Sequence, residues 1–145
     1  MNRKGDAISQ RICDLRKDLK ALRSMTQTDP SGALEVELSC HPAEQMGIVK
    51  GDWTKTPFPG VRVMGVSISE NEVIVVCEVE KRMRFQRHTH GPWSEHLVLS
   101  EGSIYEHSTG HTYTEGSVYY QPAGVWHEPE FMGPGRCMIT WRRCE

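Results

Sequence analysis

Apolar residues near the start of the chain recur at alternating steps of four and three: Ile8, Ile12, Leu15, Leu19 and Leu22, with charged residues between them. This spacing predicts an amphipathic helix over residues 6–25, and it is also the spacing of a coiled-coil seam. The seam covers fewer than three or four heptads. A helix packed on its own domain and a dimerising arm therefore both stay open at this point. The stretch from Thr26 to Gly32, TQTDPSG, is rich in turn formers and predicts a loop or linker.

The pattern then changes from a helical period to short β-prone runs. These fall at residues 60–68, 72–79, 95–99, 102–106, 111–121 and 136–142, separated by the turn signals SENE, HTHGP, STGH and MGPG. Many short strands at such spacing predict an all-β sandwich or barrel. No internal repeat or low-complexity tract interrupts them. The plan is a helical arm and linker over residues 1–30 and one β-barrel over residues 31–145.

Composition narrows the function classes. A chain of 145 residues fits one domain with a sizeable core. The formal net charge is −2, and Lys and Arg are scattered among Asp and Glu rather than gathered in a stripe, which argues against a nucleic-acid partner. No apolar run approaches the ~20 residues of a membrane span, and the first residues lack the apolar centre of a secretory signal. A cytoplasmic location is the expectation. The five cysteines are odd in number and form no CxxC pair, so no disulfide framework is expected. Cys77 and Cys137, each inside an apolar run, read as buried small hydrophobes.

Two segments carry candidate chemistry. In His88-Thr-His90-Gly-Pro-Trp-Ser-Glu95, strand alternation sends both imidazoles to one side, and a turn at Gly91-Pro92 lets Glu95 face the same space. In Gly116-Ser-Val-Tyr-Tyr-Gln-Pro122-Ala-Gly124-Val-Trp-His127, a tight turn at Pro122 and Gly124 positions His127 to point back inward. Imidazoles and a carboxylate converging on one point suit a divalent first-row metal.

These segments resemble the two motifs of the cupin superfamily, small antiparallel barrels of the jelly-roll kind. The first motif, HxH, four residues, Glu, six residues, Gly, runs here from His88 to Gly102. The second, Gly, five residues, Pro-x-Gly, two residues, His, runs from Gly116 to His127. The resemblance implies an all-β double-stranded β-helix with His88, His90, Glu95 and His127 as metal ligands. Two positions depart from the pattern: Arg82 stands where the family has Gly, and Phe131 where an Asn often follows. Neither is a ligand.

Among the remaining candidates, His96 follows Glu95 directly and should point away. His41, His107 and His111 read as surface or packing residues. Of Tyr105, Tyr113, Tyr119 and Tyr120, alternation must send some inward, where a phenol near a metal serves as acid, base or hydrogen-bond donor; Tyr105 and Tyr119 are the candidate catalytic ones. Trp93, Trp126 and Trp141 are candidates to wall an apolar pocket. Arg84 and Gln86 stand at even steps before His88. If they share its inward face, Arg84 offers a cationic anchor to substrate.

A closer resemblance joins Trp53–Val63 (WTKTPFPGVRV) to residues 96–131 (HLVLSEGSIYEHSTGHTYTEGSVYYQPAGVWHEPEF). It is similar to the subgroup holding cupin anti-sigma domains and the diketone- and acetophenone-cleaving dioxygenases, over residues 45–142. This implies a mononuclear non-haem Fe(II) dioxygenase acting on a small organic substrate. A metal-dependent lyase or isomerase, or a non-enzymatic metal or small-ligand sensor working through a protein partner, are the alternatives. Mn, Ni, Co and Zn suit the same donors. A homodimer is expected, with no nucleic-acid or membrane partner.

Overall fold

A computed structural model describes residues 36–144. The helix expected over 6–25 and the linker at 26–32 lie outside the described residues. Among the described residues twelve strands and one short helix follow one another: β1 (Val36–Glu37), α1 (Pro42–Met46), β2 (Trp53–Lys55), β3 (Val61–Ile68), β4 (Glu72–Val79), β5 (Met83–Arg84), β6 (His88–Thr89), β7 (Trp93–Glu101), β8 (Ile104–Glu106), β9 (His111–Tyr113), β10 (Val118–Gln121), β11 (Pro129–Phe131) and β12 (Gly135–Arg143).

The strands form two antiparallel sheets and a small parallel pair. A six-stranded sheet has the order β10-β7-β12-β4-β3-β2, a four-stranded sheet the order β5-β11-β8-β9, and β1 lies beside β6. The fold is an all-β jelly roll, as expected. The β-branched run EVIVVCEV gives β4 its period of two: Val73, Val75, Cys77 and Val79 are buried while the residues between them are partly exposed. β12 answers with Gly135, Cys137, Ile139 and Trp141, and β7 with Trp93, Glu95, Leu97 and Leu99. From the facing sheet come Ile104 and Phe131. Cys77 and Cys137 stand directly opposite each other across β4 and β12, both buried.

The interior of this sandwich holds a cavity of about 90 Å³. One wall comes from outside the sheets: Leu38 together with Pro42, Gln45 and Met46 of α1. Its five residues are too few for an apolar period to announce the helix, and its local signals are caps. His41 accepts a hydrogen bond from the Ala43 amide at 3.3 Å, Pro42 opens the helix, and Gly47 closes it in the left-handed conformation.

Candidate metal centre

Each of the four expected ligands is delivered by a strand or strand end. His88 opens β6, and His90 follows two residues on at its end. Glu95 lies in β7 in phase with the buried Leu97 and Leu99. His127 precedes β11. Backbone pairing locks the two motifs together, because His88 and His127 form an antiparallel bridge with amide-to-carbonyl bonds of 2.9 and 2.8 Å. The turn after His90 is fixed as well. Gly91 adopts φ 57°, and a Cβ there would stand 3.0 Å from Ser39 Cβ, so any side chain at this position is strained. Its carbonyl accepts from the Gly124 amide at 2.8 Å, joining the turn of one motif to the turn of the other.

The side chains converge. Ligand-type atoms of His88, His90 and His127 all lie within 4.8 Å of one another. Glu95 Oε2 is 3.5 Å from both His90 Nε2 and His127 Nε2. Three of these atoms (His90 Nε2, Glu95 Oε2 and His127 Nε2) are buried with no hydrogen-bond partner. The Nδ1 of His88 is engaged with the Gln86 carbonyl at 2.7 Å, which leaves its Nε2 free for the centre. Buried lone pairs without donors are costly, and one cation satisfies them all. A donor set of three nitrogens and one oxygen fits a divalent first-row metal.

Electrostatics favour the same protonation states that a metal needs. Burial, then the neighbouring His90, lowers His88 from 6.5 to about 4. Burial and His88 hold His127 well below its ordinary value. For Glu95, burial acts to raise the pKa, but the surrounding imidazoles, His90 foremost, outweigh it and bring it to about 2. At neutral pH His88 and His127 are neutral and Glu95 is ionised.

Behind His127 runs a buried relay. Its Nδ1–H donates to Tyr119 Oη at 2.6 Å, and the Tyr119 hydroxyl donates to Glu106 Oε1 at 2.5 Å. Glu106, fully buried, accepts further from the Ser108 amide and hydroxyl and from the Glu128 amide through Oε2. Burial first, then the charge of Glu95, pushes the Tyr119 phenol far above its ordinary range. Tyr119 therefore keeps its proton and fixes the tautomer and ring plane of His127. Sequence reasoning does not single out Glu106. The available signal was its phase with the buried Ile104 in β8.

Other expected residues lie elsewhere. Arg84 does not share the inward face of His88: it is exposed and paired with Glu128, which corrects the idea of a cationic anchor. Tyr105 packs its ring edge-on against His107 and is not among the residues that line the cavity. His96 and His111 are exposed, whereas His107 is half-buried and bonded to Glu130 at 2.7 Å. His41 caps α1 and bonds the Ser69 carbonyl. Of the three tryptophans expected to wall a pocket, Trp141 alone lines the cavity; Trp93 is buried and donates to the Ser39 carbonyl.

Solved structures share this architecture. KdgF from Halomonas sp. superposes with a TM-score of 0.58 at 13% identity, over 65% of this chain and 87% of that one. An RmlC-like cupin from Shewanella frigidimarina gives 0.53 at 17% identity, over 59% and 78%. This chain has the cupin fold. A candidate acetylacetone dioxygenase from Methylibium petroleiphilum also superposes, with a TM-score of 0.55 at 19% identity, over 63% of this chain and 70% of that one. No protein-family model matches the chain, and a search of curated proteins gives no match. Among the described residues no helix is long and apolar enough to cross a membrane.

Proposed function

We propose that this cupin-fold protein is a metal-dependent enzyme, a mononuclear non-haem Fe(II) dioxygenase cleaving a small ketone or diketone. The observation that carries the proposal is the orphaned cluster of His90, Glu95 and His127 acceptor atoms at the wall of an apolar cavity. When bound, an iron(II) ion held by His88, His90, Glu95 and His127 would supply Lewis-acid activation and an electron path between substrate and dioxygen.

The chain's own residues do the rest. Leu97, Ile104, Phe131 and Ile139 line the cavity with apolar surface and exclude water. Tyr119 and Glu106 hold His127 in place and move no proton, since the phenol stays protonated and its hydrogen is engaged. Reactions that need a general base over a sugar find little support: among the described residues that line the cavity there is no His–Asp pair and no Lys or Arg. The similarity of fold to a candidate acetylacetone dioxygenase supports the reading.

The test is oxygen uptake by iron-loaded protein offered a panel of β-diketones and aromatic ketones. Uptake that depends on substrate and disappears in His127→Ala is expected. Iron-replete protein that consumes no oxygen with any of them contradicts the proposal.

A further inference from the structure

Among the described residues, four buried side-chain atoms have no hydrogen-bond partner: His90 Nε2, Glu95 Oε2, His127 Nε2 and Trp141 Nε1. They are not alike. The first three offer lone pairs, which a cation satisfies. An indole nitrogen carries a proton and only donates, so a cation cannot satisfy Trp141. It needs an acceptor.

Trp141 stands in β12 directly across from Glu95 in β7. Its ring centroid lies 6.1 Å from that of His90, it is only 4% exposed, and it lines the same cavity as the four ligands. The other indole close to this turn, Trp93, already has its acceptor in Ser39. Thr56 on the cavity wall likewise spends its hydroxyl on the Val61 carbonyl. Trp141 therefore contributes an uncommitted donor beside the metal ligands.

Resting on the metal-centre reading above, we infer that Trp141 Nε1–H donates a hydrogen bond to an oxygen of the organic ligand, and that this ligand is a small uncharged ketone or diketone. A carbonyl oxygen brings the lone pair that the indole lacks. The cavity of about 90 Å³ limits the size of the body behind it. Apart from the metal ion itself, the described lining residues include no Lys or Arg to replace the hydration that a phosphate group would lose here. Trp141 is a specificity-determining residue: it selects for an acceptor oxygen, and the aliphatic wall selects against charge.

The experiment uses full-length protein loaded with zinc(II), which has no redox chemistry. It is titrated with pentane-2,4-dione while the 15N–1H resonances of its four indoles are followed. The Trp141 resonance is assigned by its loss in Trp141→Phe, or in Trp141→Tyr should the first variant not fold. It is expected to move downfield in step with saturation, with glycerol 3-phosphate leaving it in place. Trp141→Phe is expected to weaken diketone binding about tenfold, the value of one neutral hydrogen bond, at unchanged zinc stoichiometry. A saturable titration that leaves the Trp141 resonance unmoved overturns the donor assignment. No diketone binding to zinc-replete protein, or tighter binding of glycerol 3-phosphate, overturns the ligand class. Protein that takes up no zinc overturns the underlying metal centre instead.

Discussion

His88 and His127 exchange both of their backbone hydrogen bonds, at 2.9 and 2.8 Å. Residues thirty-nine positions apart are thus a cross-strand pair, and their rings lie with centroids 4.1 Å apart and planes tilted by 50°. The barrel fixes the spacing of these two imidazoles through its backbone, before any side chain or ion contributes. His90 and Glu95 enter from the same motif as His88, so the centre is preorganised by β-pairing.

The relay behind His127 gives the first prediction. Tyr119→Phe removes the acceptor of His127 Nδ1–H and the donor to buried Glu106. Metal affinity should fall about 10- to 100-fold, and stability by about 1–3 kcal/mol. Chelator competition and urea unfolding measure the two. An unchanged metal affinity would mean that the relay does not position the ligand.

Gly91 sets the turn between His90 and Glu95. Gly91→Ala should cost about 1–2 kcal/mol, because φ 57° disfavours an L side chain and the added methyl crowds Ser39. The displaced turn should also weaken metal binding. Wild-type affinity in a destabilised variant would show that this turn is not coupled to the centre.

Arg84→Ala should change ligand affinity and turnover less than twofold. Its stability cost should stay within about 1 kcal/mol, since Arg84 is exposed and its ion pair among the described residues is with the half-buried Glu128. A tenfold loss of substrate affinity would restore a direct role for this guanidinium.

Glu130 predicts a pH dependence remote from the centre. Burial acts to raise its pKa, but hydrogen bonds from Arg82 and then His107 outweigh that and hold it below the ordinary 4.5. The folded state therefore binds fewer protons than the unfolded state around this pH. The stabilisation is full above 4.5 and is lost as pH falls through the lowered value. Glu130→Gln should be less stable than wild type by about 1 kcal/mol at pH 7, a figure reduced by the exposure of Arg82. The gap should narrow in urea titrations as the pH falls below 4.5 and through the lowered value. A gap that stays constant with pH would assign the loss to packing.

The convergence of His88, His90 and Glu95 was legible because alternation along a strand carries parity: His88 and His90 are two apart, and Glu95 shares phase with Leu97 and Leu99. The same argument failed for Arg84. β5 ends at Arg84 and β6 begins at His88, and the break between them erases the parity that even steps assume. The run at 111–121 likewise separates into β9 and β10, because Gly116 at φ 83° turns the chain between them. Glu106 and Trp141 were each readable as inward-facing from their own strands. Their importance depends on cross-strand neighbours, Tyr119 for one and Glu95 with His90 for the other, and register is set by the whole sheet.

Metal stoichiometry tests the central claim most directly. Elemental analysis of wild-type protein after loading and desalting should give one divalent ion per chain, and His90→Ala and His127→Ala should each retain less than about a tenth of that. The ion should also raise wild-type stability by about 3–4 kcal/mol at 100 to 1,000 times its Kd, and leave both variants unmoved. Equal stoichiometry in wild type and both variants would place the ion elsewhere and contradict the account.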